Sequence, residues 1–250
     1  MMNKYGCKGL RIVISGGTSG IGLAAAANFL ADGADVYLLG RDTARGRQAT
    51  KQLFAQTGRK AEYFACDVSS QQACQQALEK IGGSIDILVA SAGIYKEERL
   101  ANVTEESFAQ IMDVNVKGMV YFLQAGLKYM QQGSIVTIAS DAGMSGNYGC
   151  PLYCASKGAV VALTRALALD LAPAVRVNCI CPADVDTPLL QKQLQECGGS
   201  YTAEEMSEVY PLQRLGRAAE IAHVICAVAS PQNSFMTGSI IAVDGGLTAK

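Results

Sequence analysis

In the segment Tyr153-Cys154-Ala155-Ser156-Lys157 a phenol and an ammonium stand four residues apart on an expected helix, so both project from one face. A free tyrosine titrates near ~10, and a cation held close favours the phenolate, which brings the group toward acid/base work near neutral pH. Ketone reduction needs such a group. As hydride reaches carbon the oxygen gains negative charge, and a positioned acid supplies the proton, typically worth about 10² to 10⁴ in rate. A Tyr and a Lys at this spacing also occur on ordinary surface helices, so the pair needs company. Ser140 provides some, ending an apolar run at the carboxyl edge where ligands gather in open α/β sheets. Its hydroxyl could donate to the same carbonyl oxygen; the alternative is a cap on the turn after the strand.

The first apolar run, Leu10 to Ile14, leads into Ser15-Gly16-Gly17-Thr18-Ser19-Gly20-Ile21-Gly22, and an alanine-rich helical pattern follows. This puts a glycine turn against a helix N-terminus, where free amides and the positive dipole end suit a pyrophosphate and missing Cβ atoms let the backbone come close. Gly16, Thr18, Ser19, Gly20, Ile21 and Gly22 are the candidate contacts. A glycine-rich turn that only joins strand to helix is the alternative. After the second apolar run stand Gly40 and Arg41, where an acidic residue would bond the adenosine ribose of NAD. A guanidinium there pairs instead with a 2′-phosphate, a charge-assisted bond worth about 1.5 to 3 kcal/mol. NADP(H) is therefore the expected cofactor, with NAD(H) as the alternative and a merely solvated Arg41 as the other reading of that residue.

These side chains must be carried by a scaffold, and the apolar pattern describes one. Strand-length runs at Leu10 to Ser15, Asp35 to Leu39, Ala61 to Cys66, Ile85 to Ala90, Ser134 to Ser140, Val175 to Cys181 and Ser239 to Val243 alternate with longer helical patterns. They are continuously apolar, so both faces are covered. The expectation is an α/β Rossmann fold: one domain spanning residues 1–250, with a doubly wound, mostly parallel seven-stranded sheet and helices on both faces. Ser69 with Gln72, and Thr202 with Glu205, have capping-box spacing at helix starts. The segment 183–210, with Gly198 and Gly199, reads as a substrate lid. Phe108 to Met130 and Leu152 to Ala172 are apolar nearly all round and need burial on two sides, which predicts a homo-oligomer, either dimer or tetramer.

Composition removes other classes. A formal net charge of −1 without basic runs lacks the footprint of nucleic-acid binding. The polar start and the short first apolar run fit neither a signal peptide nor a membrane span, so a cytoplasmic location is expected. Nine cysteines scattered through apolar segments, with neither Cys150/Cys154 nor Cys179/Cys181 at zinc spacing, read as reduced core residues rather than metal ligands. The single His223 reads as structural, and with one histidine there is no Ser-His-Asp triad. Asp141 and Asp184 read as turn caps. Ile94, Tyr95, Met144, Tyr148 and Cys150 are expected on the substrate side.

Taken together the glycine spacing of Gly16 to Gly22, Asp67-Val68, Asn115, Ser140, Tyr153 with Lys157, Asn178 to Pro182 with Thr187, and Val243-Asp244-Gly245-Gly246 resemble the short-chain dehydrogenase/reductase family. The resemblance covers nearly the whole chain and is to its one-domain branch, which includes 3-oxoacyl-ACP reductase-like and hydroxysteroid dehydrogenase-like members. It implies a tetrad: Tyr153 as acid/base, Ser140 orienting the substrate, Lys157 holding the nicotinamide ribose and tuning the phenol, and Asn115 binding a water in a proton relay. It also implies Asp67 and Val68 at the adenine, Ser91-Ala92-Gly93 along the cofactor, and Pro182, Val185 and Thr187 at the nicotinamide end. Ser91 stands where the family usually has Asn, Ala183 where a Gly usually follows Pro182, and Ser15 where Thr is usual.

The function implied is NAD(P)(H)-dependent hydride transfer between a nicotinamide and a small carbonyl or secondary alcohol. A dinucleotide-binding redox sensor without turnover is the competing class, but it has no use for a filled tetrad. An epimerase or dehydratase of the longer relatives is disfavoured by chain length and by the glycine spacing. Composition leaves the substrate open.

Overall fold

The computed structural model of the chain describes residues 4–249. Its elements run β1 Arg11–Ser15, α1 Gly20–Ala31, β2 Asp35–Gly40, α2 Thr43–Thr57, β3 Glu62–Ala65, α3 Gln71–Ile81 and β4 Ile87–Ala90. They continue with α4 Glu105–Met112, α5 Gly118–Leu127, β5 Gly133–Ile138, α6 Pro151–Asp170, β6 Val175–Pro182, β7 Val185–Asp186 and α7 Pro188–Glu196. The last are α8 Ala203–Glu208, β8 Gly216–Arg217, α9 Ala218–Ala229 and β9 Ile240–Val243. Seven strands form one sheet in the order β3-β2-β1-β4-β5-β6-β9, with every neighbouring pair parallel. The expected Rossmann-type α/β fold is thereby present.

Neighbouring residues on β1 point to opposite faces, and each meets a helical layer. Ile12 and Ile14 pack with Ala25, Phe29 and Ile225 on the α1/α9 side, while Val13 packs with Leu78, Leu88 and Phe122 on the α3/α5 side, all of them fully buried. Burying each such large apolar side chain is worth about 1.5 to 3 kcal/mol, so neither layer can leave the sheet without a large loss. Strand order reverses between β1 and β4, which opens a crevice at their carboxyl ends. There the Ser91 amide donates to the Ser15 carbonyl at 3.2 Å, tying the loop after β4 to the glycine turn after β1.

Several boundaries differ from the sequence pattern. β5 ends at Ile138, and Ser140 lies beyond it as the cap of a 3-10 turn over Asp141–Gly143, accepting from the Ala142 amide at 3.2 Å. Ile85 is not in β4, because its amide pairs with the Tyr129 carbonyl. The cap of α3 is Ser70, accepting from the Ala73 amide at 3.2 Å, and not Ser69, whose amide and hydroxyl both donate to Asp67 Oδ1. The box of Thr202 and Glu205 forms as expected. The long helix around Asn115 is interrupted, with a π turn at Asp113–Lys117 between α4 and α5. The segment 183–210, expected as a lid, holds α7 and α8, and the small parallel pair β7-β8 lies outside the strand pattern read from sequence. α6 is long and apolar enough to cross a bilayer by length and composition, but it packs on β6 and carries Tyr153 and Lys157 within the fold.

Candidate active site

α6 starts with Pro151 at its first position, where a missing N–H costs nothing. Within its first two turns it presents Tyr153 and Lys157 to the carboxyl ends of β4, β5 and β6. There they meet a cavity of about 500 Å³. Gly16, Ser19, Gly20 and Ile21 line it from the glycine turn, Ser91, Ala92 and Gly93 from the end of β4, and Ser140 from beyond β5. Pro182, Val185 and Thr187 close it from the other side, and Ile94, Tyr95, Tyr148 and Cys150 form part of the rest of its wall. Met144, 43% exposed, is not part of the lining.

Six of the other named residues stand outside the wall. Thr18 packs against Gly40 at the end of β2, Gly22 presses on the Gly16 backbone, and Val68 packs on Gly118. Arg41 is exposed just past β2, and Asp67 lies just past β3. Register places Gly40 opposite Ala65, and the Cys66 amide donates to the Gly40 carbonyl at 2.9 Å, so Arg41 and Asp67 sit at the ends of neighbouring strands. Asn115 lies behind the wall, 2% exposed. Its Oδ1 accepts from the Ile94 amide at 2.8 Å, and its Nδ2 donates to the Ile94 carbonyl and to Ser156 Oγ. The side chain is thus a clamp between the π turn, the loop after β4 and α6.

Lys157 is 6% exposed and donates to the Ile138 carbonyl at 3.1 Å. Burial pulls its ammonium down to about 8, partly offset by the sulphurs of Cys179 and Cys181. Tyr153 behaves oppositely to the expectation that the lysine draws it down. Burial is the largest effect and raises the phenol, a hydrogen bond with Ser140 opposes it, and Asp141, Cys150 and Asp184 raise it further. The amine lies 5.7 Å from the phenol ring centroid, with its hydrogen bond spent elsewhere. Tyr95 meets the Tyr153 ring edge-on at 4.9 Å between centroids and 76°, an arrangement that fixes the ring plane.

Sequence reasoning missed part of the wall. Asp141 and Asp184, read as turn caps, both line the cavity, as do Glu97, Asn147, Gln193, Tyr201 and Met206. Asp141 accepts from Ser140 Oγ at 2.7 Å, and Asp184 accepts from the Tyr210 hydroxyl at 2.5 Å. Across the mouth, Gln193 Nε2 donates to the Tyr201 hydroxyl, which donates to Glu97 Oε2 at 2.7 Å. His223 lies away from the site and bonds the Tyr5 hydroxyl through Nδ1 at 2.6 Å. All nine cysteines are free thiols, although Cys154 and Cys197 are only half-buried.

The residues present fit a dinucleotide. Gly16 has φ +70°, and a Cβ there would lie 2.8 Å from the Ala92 amide nitrogen, so only glycine lets the turn close on the neighbouring loop. Ser19 caps α1 without a side-chain hydrogen bond, which leaves the first-turn amides free to meet an anion. The buried Lys157 spends its ammonium on one protein acceptor while having three donors.

Comparison with known proteins agrees. A family model described as enoyl-(acyl carrier protein) reductase matches residues 16–248. The 2-(S)-hydroxypropyl-CoM dehydrogenase 3 of Xanthobacter autotrophicus is 36% identical over 249 residues, covering 95% of this chain and 96% of that protein. The 3-oxoacyl-[acyl-carrier-protein] reductase FabG of Thermotoga maritima is 33% identical over 242 residues, covering 94% and 96% respectively. The structure of ElxO with NADP bound superimposes with a TM-score of 0.89 at 28% identity, covering 97% of this chain and 100% of that one. The sensor alternative finds no support among such relatives. The chain belongs to the short-chain dehydrogenase/reductase family and is an oxidoreductase that moves hydride, with a nicotinamide cofactor, between a carbonyl and a secondary alcohol.

Proposed function

We propose that the chain is an NADP(H)-dependent carbonyl reductase and alcohol dehydrogenase whose proton is held at Tyr153 Oη. The observation that carries this reading is the meeting of Tyr153, Ser140 and Lys157 with the glycine turn on one cavity. A bound nicotinamide supplies or takes the hydride. Tyr153 gives its proton to the substrate oxygen in reduction and takes it back in oxidation. Ser140 orients that oxygen, Lys157 holds the ribose hydroxyls, and Asn115 supports the relay by fixing the loop at Ile94. Gly16, Thr18, Ser19, Gly20, Ile21 and Gly22 hold the pyrophosphate, Asp67 and Val68 the adenine, Ser91 to Gly93 the cofactor's middle, and Pro182, Val185 and Thr187 the carboxamide end.

Preference for NADP(H) rests on the exposed Arg41 beside Asp67, since a guanidinium suits a 2′-phosphate. Residues 1–250 form one catalytic and cofactor-binding domain in this reading, with 183–210 as its lid. Self-association as a dimer or tetramer would cover the apolar side chains that α4, α5 and α6 leave outward, with Phe108 51%, Val120 38% and Leu169 81% exposed; light scattering reads it directly. Nine free thiols fit a reducing compartment, and a cytoplasmic location is part of the proposal. The functional reading is tested by loss of NADPH absorbance on adding a panel of ketones. Turnover with some member supports it, and retention of NADPH with no turnover of any member contradicts it.

A further inference from the structure

Ser140 carries one proton, and in this fold that proton is already committed. Its Oγ donates to Asp141 Oδ1 at 2.7 Å and accepts from the Ala142 amide at 3.2 Å. On the carboxylate's other oxygen, Asn147 Nδ2 donates to Oδ2 at 3.3 Å. Asp141 is 5% exposed, and both residues line the cavity. A hydroxyl proton serves one acceptor well at a time. When Ser140 turns to a substrate carbonyl, Asp141 Oδ1 becomes a buried charged acceptor without its donor, and the complex carries that cost.

A plain ketone leaves the cost in place. A ketone with a hydroxyl on the next carbon removes it, because that O–H donates to Asp141 while the carbonyl accepts from Ser140. The two protein oxygens lie side by side at hydrogen-bond distance, matching two oxygens on neighbouring carbons. Charge on the wall favours the same class. Among the described residues Lys157 is the one cationic side chain in the lining, against Glu97, Asp141 and Asp184, so an anionic substrate gains no further cation from them.

Resting on the reading of Tyr153 and Ser140 at the reacting oxygen, we propose that Asp141 determines specificity. The substrate class is a small uncharged α-hydroxy ketone, or a vicinal diol in the reverse direction. The carbonyl carbon takes the hydride, its oxygen takes the Tyr153 proton, and the neighbouring hydroxyl stays intact on Asp141.

The test compares reduction of 3-hydroxy-2-butanone and 2-butanone, with whichever nicotinamide nucleotide gives the higher rate, in the full chain and in Asp141→Asn and Asp141→Leu. In the wild type the hydroxy ketone has the higher kcat/KM by roughly ten- to a hundredfold. Asp141→Leu, with no acceptor, brings the two within about threefold, and Asp141→Asn, with a neutral acceptor, falls between. Equal efficiency in the wild type, an unchanged ratio in Asp141→Leu, or no reduction of the hydroxy ketone overturns the proposal. Should Asp141→Leu not fold, an unchanged ratio in Asp141→Asn overturns it. Tyr153→Phe separates the two readings: turnover in that variant sinks the acid/base reading, whereas a dead variant with a wild-type ratio near one sinks only the role of Asp141.

Discussion

The Lys157 ammonium sits 5.7 Å from the centroid of the Tyr153 ring, yet its hydrogen bond goes to the Ile138 carbonyl at 3.1 Å. The two groups therefore act as separate devices in one cavity. Burial, with Asp141 and Asp184 nearby, holds the phenol protonated, while burial of the amine pulls it down to about 8.

A raised phenol fixes the sign of the pH dependence. Carbonyl reduction uses the protonated form, which dominates throughout the neutral range, whereas alcohol oxidation needs the phenolate. Oxidation kcat should rise with pH from 6.5 upward, by up to about tenfold per unit, while reduction stays nearly flat to pH 8. Initial rates in both directions at saturating nucleotide check this, and oxidation independent of pH would contradict it.

Lys157 gives a different profile. If the ammonium holds the cofactor ribose, the protonated form binds, so affinity falls as pH rises through about 8. Between pH 7 and 9 the NADPH dissociation constant should increase roughly tenfold. Fluorescence titration measures it, and Lys157→Met should bind more weakly at pH 7 with little change at pH 9. A wild-type constant indifferent to pH would argue against an ammonium contact.

In the proposed reading Arg41 selects the nucleotide. Arg41→Ala should lower kcat/KM for NADPH by roughly tenfold to over a hundredfold and leave NADH within about twofold. Equal use of the two nucleotides by the wild type, unaltered in the variant, would return Arg41 to the status of a solvated side chain.

Gly16 tests the cradle. At φ +70° a Cβ would lie 2.8 Å from the Ala92 amide nitrogen, so Gly16→Ala must shift backbone on both loops. The expected loss is about 1 to 3 kcal/mol of stability, with a larger proportional loss of nucleotide binding. Thermal melts with and without NADPH separate the two, and a variant with wild-type melting and affinity would show that the turn is not held as described.

The scaffold was legible in the sequence because β1, through Ile12 to Ile14, and β4, through Ile87 to Ala90, carry apolar runs without alternation, which a sheet covered on both faces tolerates. Tyr153, Lys157 and Gly16 to Gly22 were legible because their spacing follows from one helix and one turn. Ser140 was read as a strand end, and it is a turn cap beyond the strand, since strand termini carry no sharp signal. The π turn around Asn115 left no mark in the apolar pattern, which runs on across it. Glu97 and Tyr201 meet across 104 positions of chain, and no local pattern announces such a pair. Asp141 did carry a signal, a carboxylate directly after a candidate active-site hydroxyl, but turn capping explains that placement equally well until the cavity is seen.

The measurement closest to the central claim is single-turnover hydride transfer by Tyr153→Phe, paired with its NADPH affinity. Loss of the phenolic oxygen should slow transfer by about 10² to 10⁴ or more while the dissociation constant stays within a few fold. Transfer at the wild-type rate, with nucleotide bound, would contradict Tyr153 as the proton-holding group.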